Sequence, residues 1–249
     1  MLMKCWQLVK PYFCALALGV SCCFFVGCET LNTAGISKVL SSAGSGANGL
    51  SSNTIVAGLK EALQVGTRNA VEQTASEGGY LNNEAIRIPI PEKLQKMASG
   101  LRKIGLGGRV DQFETKMNRA AEQAAAKAAP VFLDAIKEMS FAEARDILQG
   151  HDTAATEYFR GATEKELTRR YQPIVSQAMN SVGAVRLFED LQTRYNKLPL
   201  VPEMNYQVED YVVNEALNGL FHVLANEEQK IRANPAARTT DLLRRVFGN

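Results

Sequence analysis

The sequence predicts an all-α fold: a compact multi-helix bundle with one or two proline-kinked helices, preceded by an N-terminal signal and a flexible tether. Three observations predict it. Apolar residues recur at helical spacing over nearly all of the chain after residue 53. Glycines and prolines fall mostly between those stripes, where they stop or start helices. No period of about 20–50 residues repeats, which excludes a solenoid. The chain has 249 residues, of which 46% are hydrophobic and 22% charged, the balance of a chain that buries a core. Its formal net charge of +2 excludes a polybasic nucleic-acid binder.

Residues 1–27 read as an address. Lys4 and Lys10 are the only charges before Glu29, and an apolar run from about Tyr12 to Val26 follows them. That run is shorter than the roughly 20 residues a spanning helix needs. It ends in Phe25-Val26-Gly27-Cys28, without the small-x-small pattern of ordinary signal cleavage. A small residue directly before a cysteine at this place resembles the lipobox of bacterial lipoproteins. The resemblance implies cleavage before Cys28, acylation of its thiol and new amino group, and attachment by three chains, where one chain alone binds only marginally. Glu29 in place of an aspartate points to the outer membrane, on its periplasmic face. An uncleaved signal anchor and a soluble periplasmic protein are the alternatives.

Removing 1–27 takes away Lys4, Lys10 and no acid, leaving 26 basic and 26 acidic residues. It also removes Cys5, Cys14, Cys22 and Cys23, so Cys28 alone remains. A chain without disulfides in an oxidising compartment rests on its apolar core. Thiol redox chemistry and cysteine-ligated zinc are excluded. Residues 28–52 are expected to be the tether, since 41–53 read SSAGSGANGLSSN, an uncharged Ser/Gly/Asn linker. Residues 53–249 form the predicted single domain.

Within it, Ile55, Leu59, Ala62, Leu63, Gly66, Ala70 and Val71 trace the first helical stripe, and Gly78-Gly79 stops it. Ile86-Arg87-Ile88, bounded by Pro89 and Pro91, is the one segment predicted as extended, a β-bridge or edge. Leu94, Met97, Leu101 and Ile104 follow on a helix opened by Pro91 and ended by Gly105. Arg109 to about Ala129 is expected to be a central helix, because its small and apolar residues cover more than one face. Pro130 begins the next, which carries Phe132, Leu133 and Ile136. Capping-box patterns at Ser140–Glu143 and Thr163–Glu166 predict two further helix starts. The second of these helices contains Pro173. Leu187, Leu191 and Tyr195 mark another helix. Val208 to Arg232 is helical, with Asn214 a candidate break. Thr239-Thr240-Asp241 caps a last short helix.

Four blocks carry a family resemblance: Gly58 to Leu63, Asp111 to Glu122, Asp152 to Phe159 and Asn234 to Phe247. In that order they resemble the bacterial family known as domain of unknown function 4197. The resemblance implies a secreted or lipid-anchored protein of Gram-negative bacteria. It supplies no activity, cofactor or catalytic residue.

Candidate chemistry is sparse. Asn118, Arg119 and Glu122 lie on the predicted central helix, with Arg119 and Glu122 able to meet at i, i+3. They form either a structural polar network or a grip on a ligand carboxylate or phosphate. His151 and Asp152, with Thr153, Thr156 and Tyr158 nearby, offer an acid–base pair or a loop histidine beside an N-cap aspartate. His222 and Glu228 are six apart and face opposite ways, so they make no metal site; Glu228 and Arg232, at i and i+4, read as an ordinary helix salt bridge. Arg238, Arg244 and Arg245 read as a solvated face, with anionic headgroups or polymer the alternative. There is no GxSxG elbow, HExxH, P-loop or GxGxxG. These features point to a lipid-anchored binding or scaffold protein of the envelope without cofactor, metal or nucleic acid. Its expected partners are the membrane, through Cys28, and an envelope protein or small-molecule ligand. The alternative is a periplasmic enzyme using carboxylates and Arg119 in a polar pocket.

Overall fold

A computed structural model describes residues 50–140 and 144–248. Cys28, the signal and nearly all of the tether lie outside the described residues. The described residues form nine α-helices and two short 3₁₀ turns, with no strand among them. No helix among them is long and apolar enough to cross a membrane.

Helix α1 spans Ser52–Ala75, and Ser51 caps it by accepting a hydrogen bond from the Thr54 N–H. Its predicted stripe is buried at Ile55, Leu59, Ala62, Leu63, Gly66 and Ala70. After residues 76–91 and a 3₁₀ turn at Glu92–Leu94 come α2 (Gln95–Lys103), α3 (Gly107–Ala125) and α4 (Ala128–Glu138). The division between α3 and α4 was expected three residues later. Pro130 has no N–H to give the Ala126 carbonyl, so the helix breaks at Ala126-Lys127 and Pro130 falls in the first turn of α4.

Helices α5 (Ala144–Gln149), α6 (Ala154–Ser181) and α7 (Ala184–Asn196) follow. The start predicted at Thr163 is corrected: α6 runs unbroken through it and through Pro173. The Thr163 hydroxyl donates 2.6 Å back to the Phe159 carbonyl, as an interior threonine does, instead of capping. Gly183, at φ 69°, supplies the left-handed residue that lets α7 start two residues after α6 ends. Residues 197–208 have no regular structure. Helix α8 (Glu209–Ala233) is continuous through Asn214, against the break considered there, and α9 (Asp241–Phe247) is capped by Thr240.

The core gathers around α8, which packs chiefly against α1 and α6, and around α3, which touches helices on several sides. Phe132 of α4, Phe159 of α6 and Phe221 of α8 form an aromatic triangle with centroids 5.4–6.0 Å apart. Phe113 of α3 stacks on Phe188 of α7 at 5.2 Å. Each such pair adds about 0.5–1.5 kcal/mol beyond its area burial. Val110, Phe113, Met117, Ala120, Ala121, Ala124 and Ala125 are all buried, which is the central position expected for α3.

Candidate functional site

The polar residues inside this core hold segments that lie far away in sequence. On α3, Asn118 is fully buried. Its side chain accepts from the Ile88 N–H and donates to the Ile88 carbonyl, both at 2.8 Å. A buried asparagine thus pairs with the backbone as a neighbouring strand would. This corrects the β-bridge expected at Ile86–Ile88: the partner of Ile88 is a side chain, and no strand forms.

One turn on, Glu122 is buried and serves the same segment. One carboxylate oxygen accepts from the Tyr80 and Leu81 N–H groups, at 3.3 and 3.2 Å. The other accepts from Arg119 at 2.7 Å. Arg119 also reaches Glu77 at 2.8 Å, and its side chain is 32% exposed against 86% for Glu77. The Glu122 hydrogen bond raises the Arg119 pKa. Tyr80 then enters the core, where its hydroxyl donates to the Ala216 carbonyl at 2.7 Å. Burial pushes its pKa well up, so the phenol stays a neutral donor. Gly219 lets this segment lie against α8: a Cβ there would come within 2.6 Å of the Tyr80 ring and 3.2 Å of the Ile86 Cβ.

Helix α8 carries a second arrangement of the same kind. Glu228 accepts from the N–H groups of Ala155 and Thr156, at 3.0 and 2.8 Å, and from the Thr156 hydroxyl at 2.6 Å. It is therefore the cap of α6, supplied from 72 residues away. A carboxylate at this place also meets the positive end of the helix dipole. Arg232 pairs with Glu228 at 2.8 Å and donates to the Leu148 and Ile147 carbonyls, at 2.8 and 3.1 Å, closing the end of α5. The expected i, i+4 salt bridge forms, but the two side chains are only 10% and 2% exposed, so it is a buried pair. The i, i+4 spacing is the same in either setting; burial follows from what packs outside the helix. The aspartate cap considered at Asp152 is also replaced: Thr153 occupies the N-cap position without a capping side-chain bond, and Glu228 does the capping.

The five candidate residues do not converge. Asn118, Arg119 and Glu122 lie together on α3. His151 lies at the start of α6, where it meets Thr153 at 3.2 Å and Glu157 at 3.5 Å, with both members of the His151–Glu157 pair exposed. Asp152 is exposed beside it. No group of three His, Cys, Asp or Glu among the described residues could hold a metal ion. Arg238 closes α8 by donating to the Ile231 and Arg232 carbonyls, and Arg244 pairs with Asp241.

What the two arrangements position is a cleft of about 380 Å³. Its walls are residues 85–87, the first two turns of α6, and α8 from Glu215 to Ala225. Asn118 and Glu122 fix the first wall, and Glu228 fixes the second. Sequence reading had set His222 aside with the α8 acids and had not singled out Arg87, Arg160 or Glu215. Their common site depends on contacts between segments more than 50 residues apart, for which no local pattern exists.

The family model described as "Protein of unknown function (DUF4197)" matches residues 49–248. The chain belongs to this family. No curated protein and no solved structure matches it. For domain of unknown function 4197 the matched stretch contains the whole bundle, both buried carboxylate arrangements and the cleft between them.

Proposed function

We propose that the chain is a lipid-anchored binding or scaffold protein of the bacterial envelope, held at the periplasmic face of the outer membrane through an acylated Cys28. The observation that carries the non-catalytic reading is the use made of the buried polar groups. Glu122, Glu228 and Asn118 already bond to backbone groups of other segments, and Arg119 and Arg232 bond to the two acids. A general acid or base must reach a substrate proton, whereas these acids face the fold's own N–H groups. Arg119 and Glu122 also lie outside the cleft lining. The anchoring part is supported by the apolar run ending in Gly27-Cys28 and by the uncharged linker before α1. Mass spectrometry of the mature N-terminus tests it. The expected result is a chain that begins at an acylated Cys28, with membrane association lost in Cys28→Ser. A free amino terminus elsewhere, or unchanged association of the variant, contradicts it.

A further inference from the structure

The geometry points to the cleft between residues 85–87, α6 and α8 as a binding site for a small zwitterion, a free amino acid or short peptide whose amine and carboxylate are both unblocked. Two guanidinium groups line it, and each is oriented by a carboxylate outside the lining. Arg87 places Nε and Nη2 on Glu114, at 3.0 and 2.7 Å. Arg160 places Nε on Glu164 at 3.1 Å and Nη2 on Asn218, and lies over the Phe221 ring at 5.1 Å. In each, Nη1 makes no hydrogen bond among the described residues. A held guanidinium with spare N–H groups is suited to a carboxylate.

The opposite charge is present as well. Glu215 is half-buried in the α8 wall, and neither it nor His222, two turns further on the same helix, has a hydrogen-bond or ion-pair partner among the described residues. Glu157 adds a second carboxylate from α6, with Oε1 taking the Thr153 hydroxyl at 2.9 Å. The cleft sets two arginines, each ion-paired on one side and with a spare N–H group on the other, opposite two carboxylates, and this arrangement matches a molecule carrying both charges. Its volume of about 380 Å³ lies within the roughly 300–1,000 Å³ of small-molecule sites. The walls are preformed, since Asn118, Glu122 and Glu228 already hold them, so binding requires little ordering.

This inference rests on the domain's being a binder and not on its anchor; an unmodified Cys28 would overturn the anchoring alone. The test is calorimetric titration of the full chain in detergent with dialanine, with N-acetyl-dialanine and with dialanine amide. Dialanine should bind, and blocking either terminus should weaken it at least about tenfold, the loss of one charged contact of about 1.4 kcal/mol. Glu215→Gln should weaken dialanine while leaving the N-acetyl peptide unchanged. Because Glu215 has no internal partner, its variant should fold as the parent does. No binding of dialanine at millimolar concentration overturns the proposal. So does equal binding of either blocked peptide, or a Glu215→Gln variant that binds dialanine as tightly as the parent.

Discussion

Helices α3 and α8 each present a buried glutamate that holds N–H groups of a distant segment, and each pairs that glutamate with an arginine within one turn. The resemblance ends at the arginine. Arg232 is 10% exposed and spends its remaining N–H groups on two carbonyls of α5. Arg119 is 32% exposed and turns its other side to Glu77, itself almost wholly in water. Two neighbouring helix spacings, i+3 in Arg119–Glu122 and i+4 in Glu228–Arg232, thus yield different energetic roles, set by what closes over the arginine. A third case completes the series: on α6, Glu166 meets Arg169 and Arg170 at the same i+3 and i+4 spacings, but there the glutamate itself is 40% exposed.

The largest expected effect is at the most enclosed arginine. Arg232→Ala leaves the Glu228 charge buried without its counter-ion and strips two carbonyls of their donor. Urea unfolding should show a loss of about 3–5 kcal/mol. A loss below about 1 kcal/mol would place the pair among surface ion pairs and erase the distinction from α3.

Arg119→Ala should cost less, about 1–2 kcal/mol, because water reaches the guanidinium and Glu122 keeps two backbone donors. A loss equal to that of Arg232→Ala would show that Glu122, not the exposure of its partner, decides the cost.

The smallest effect belongs to the exposed cluster and is best read by titration. Hydrogen bonds from Arg169 and Arg170 hold the Glu166 pKa down from 4.5 to about 2. A depressed carboxyl pKa adds stability that is fully present above pH 4.5 and is lost as the pH falls towards 2. Carbon-13 NMR of the Glu166 carboxyl should therefore show a midpoint displaced from 4.5 towards 2. A midpoint near 4.5 would mean that the arginines point into solvent.

The α-helices were legible because each carries its own period and stops. The stripe of α1, the small-residue faces of α3 and the Thr240 cap are all local signals, and the model places them where they were read. Asn118, Arg119 and Glu122 stood out for a local reason as well: polar residues among alanines. What could not be read is any cap supplied from elsewhere. Thr163–Glu166 matches a helix start in sequence, yet α6 begins at Ala154 because Glu228 satisfies its first N–H groups. Ile88 reads as extended because Ile86-Arg87-Ile88 alternates before Pro89, yet its partner is an asparagine side chain 30 residues away. Asn196 does the same for Met204, accepting from its N–H and donating to its carbonyl at 2.9 Å each, within a stretch that reads only as loop. The cleft was invisible for the same reason, since its walls meet only through these long-range bonds.

The buried acids Glu122 and Glu228 brace the segments that wall the cleft. The urea midpoint of Glu228→Gln tests it most directly. Glutamine has nearly the shape of glutamate but turns an N–H₂ towards donors from Ala155, Thr156 or Arg232, so at least one donor meets a donor. The account predicts a midpoint lowered by the equivalent of about 3 kcal/mol or more, with an unchanged slope. A midpoint that stays the same or rises would contradict it, because a strained acid kept for function stabilises the fold when it is removed.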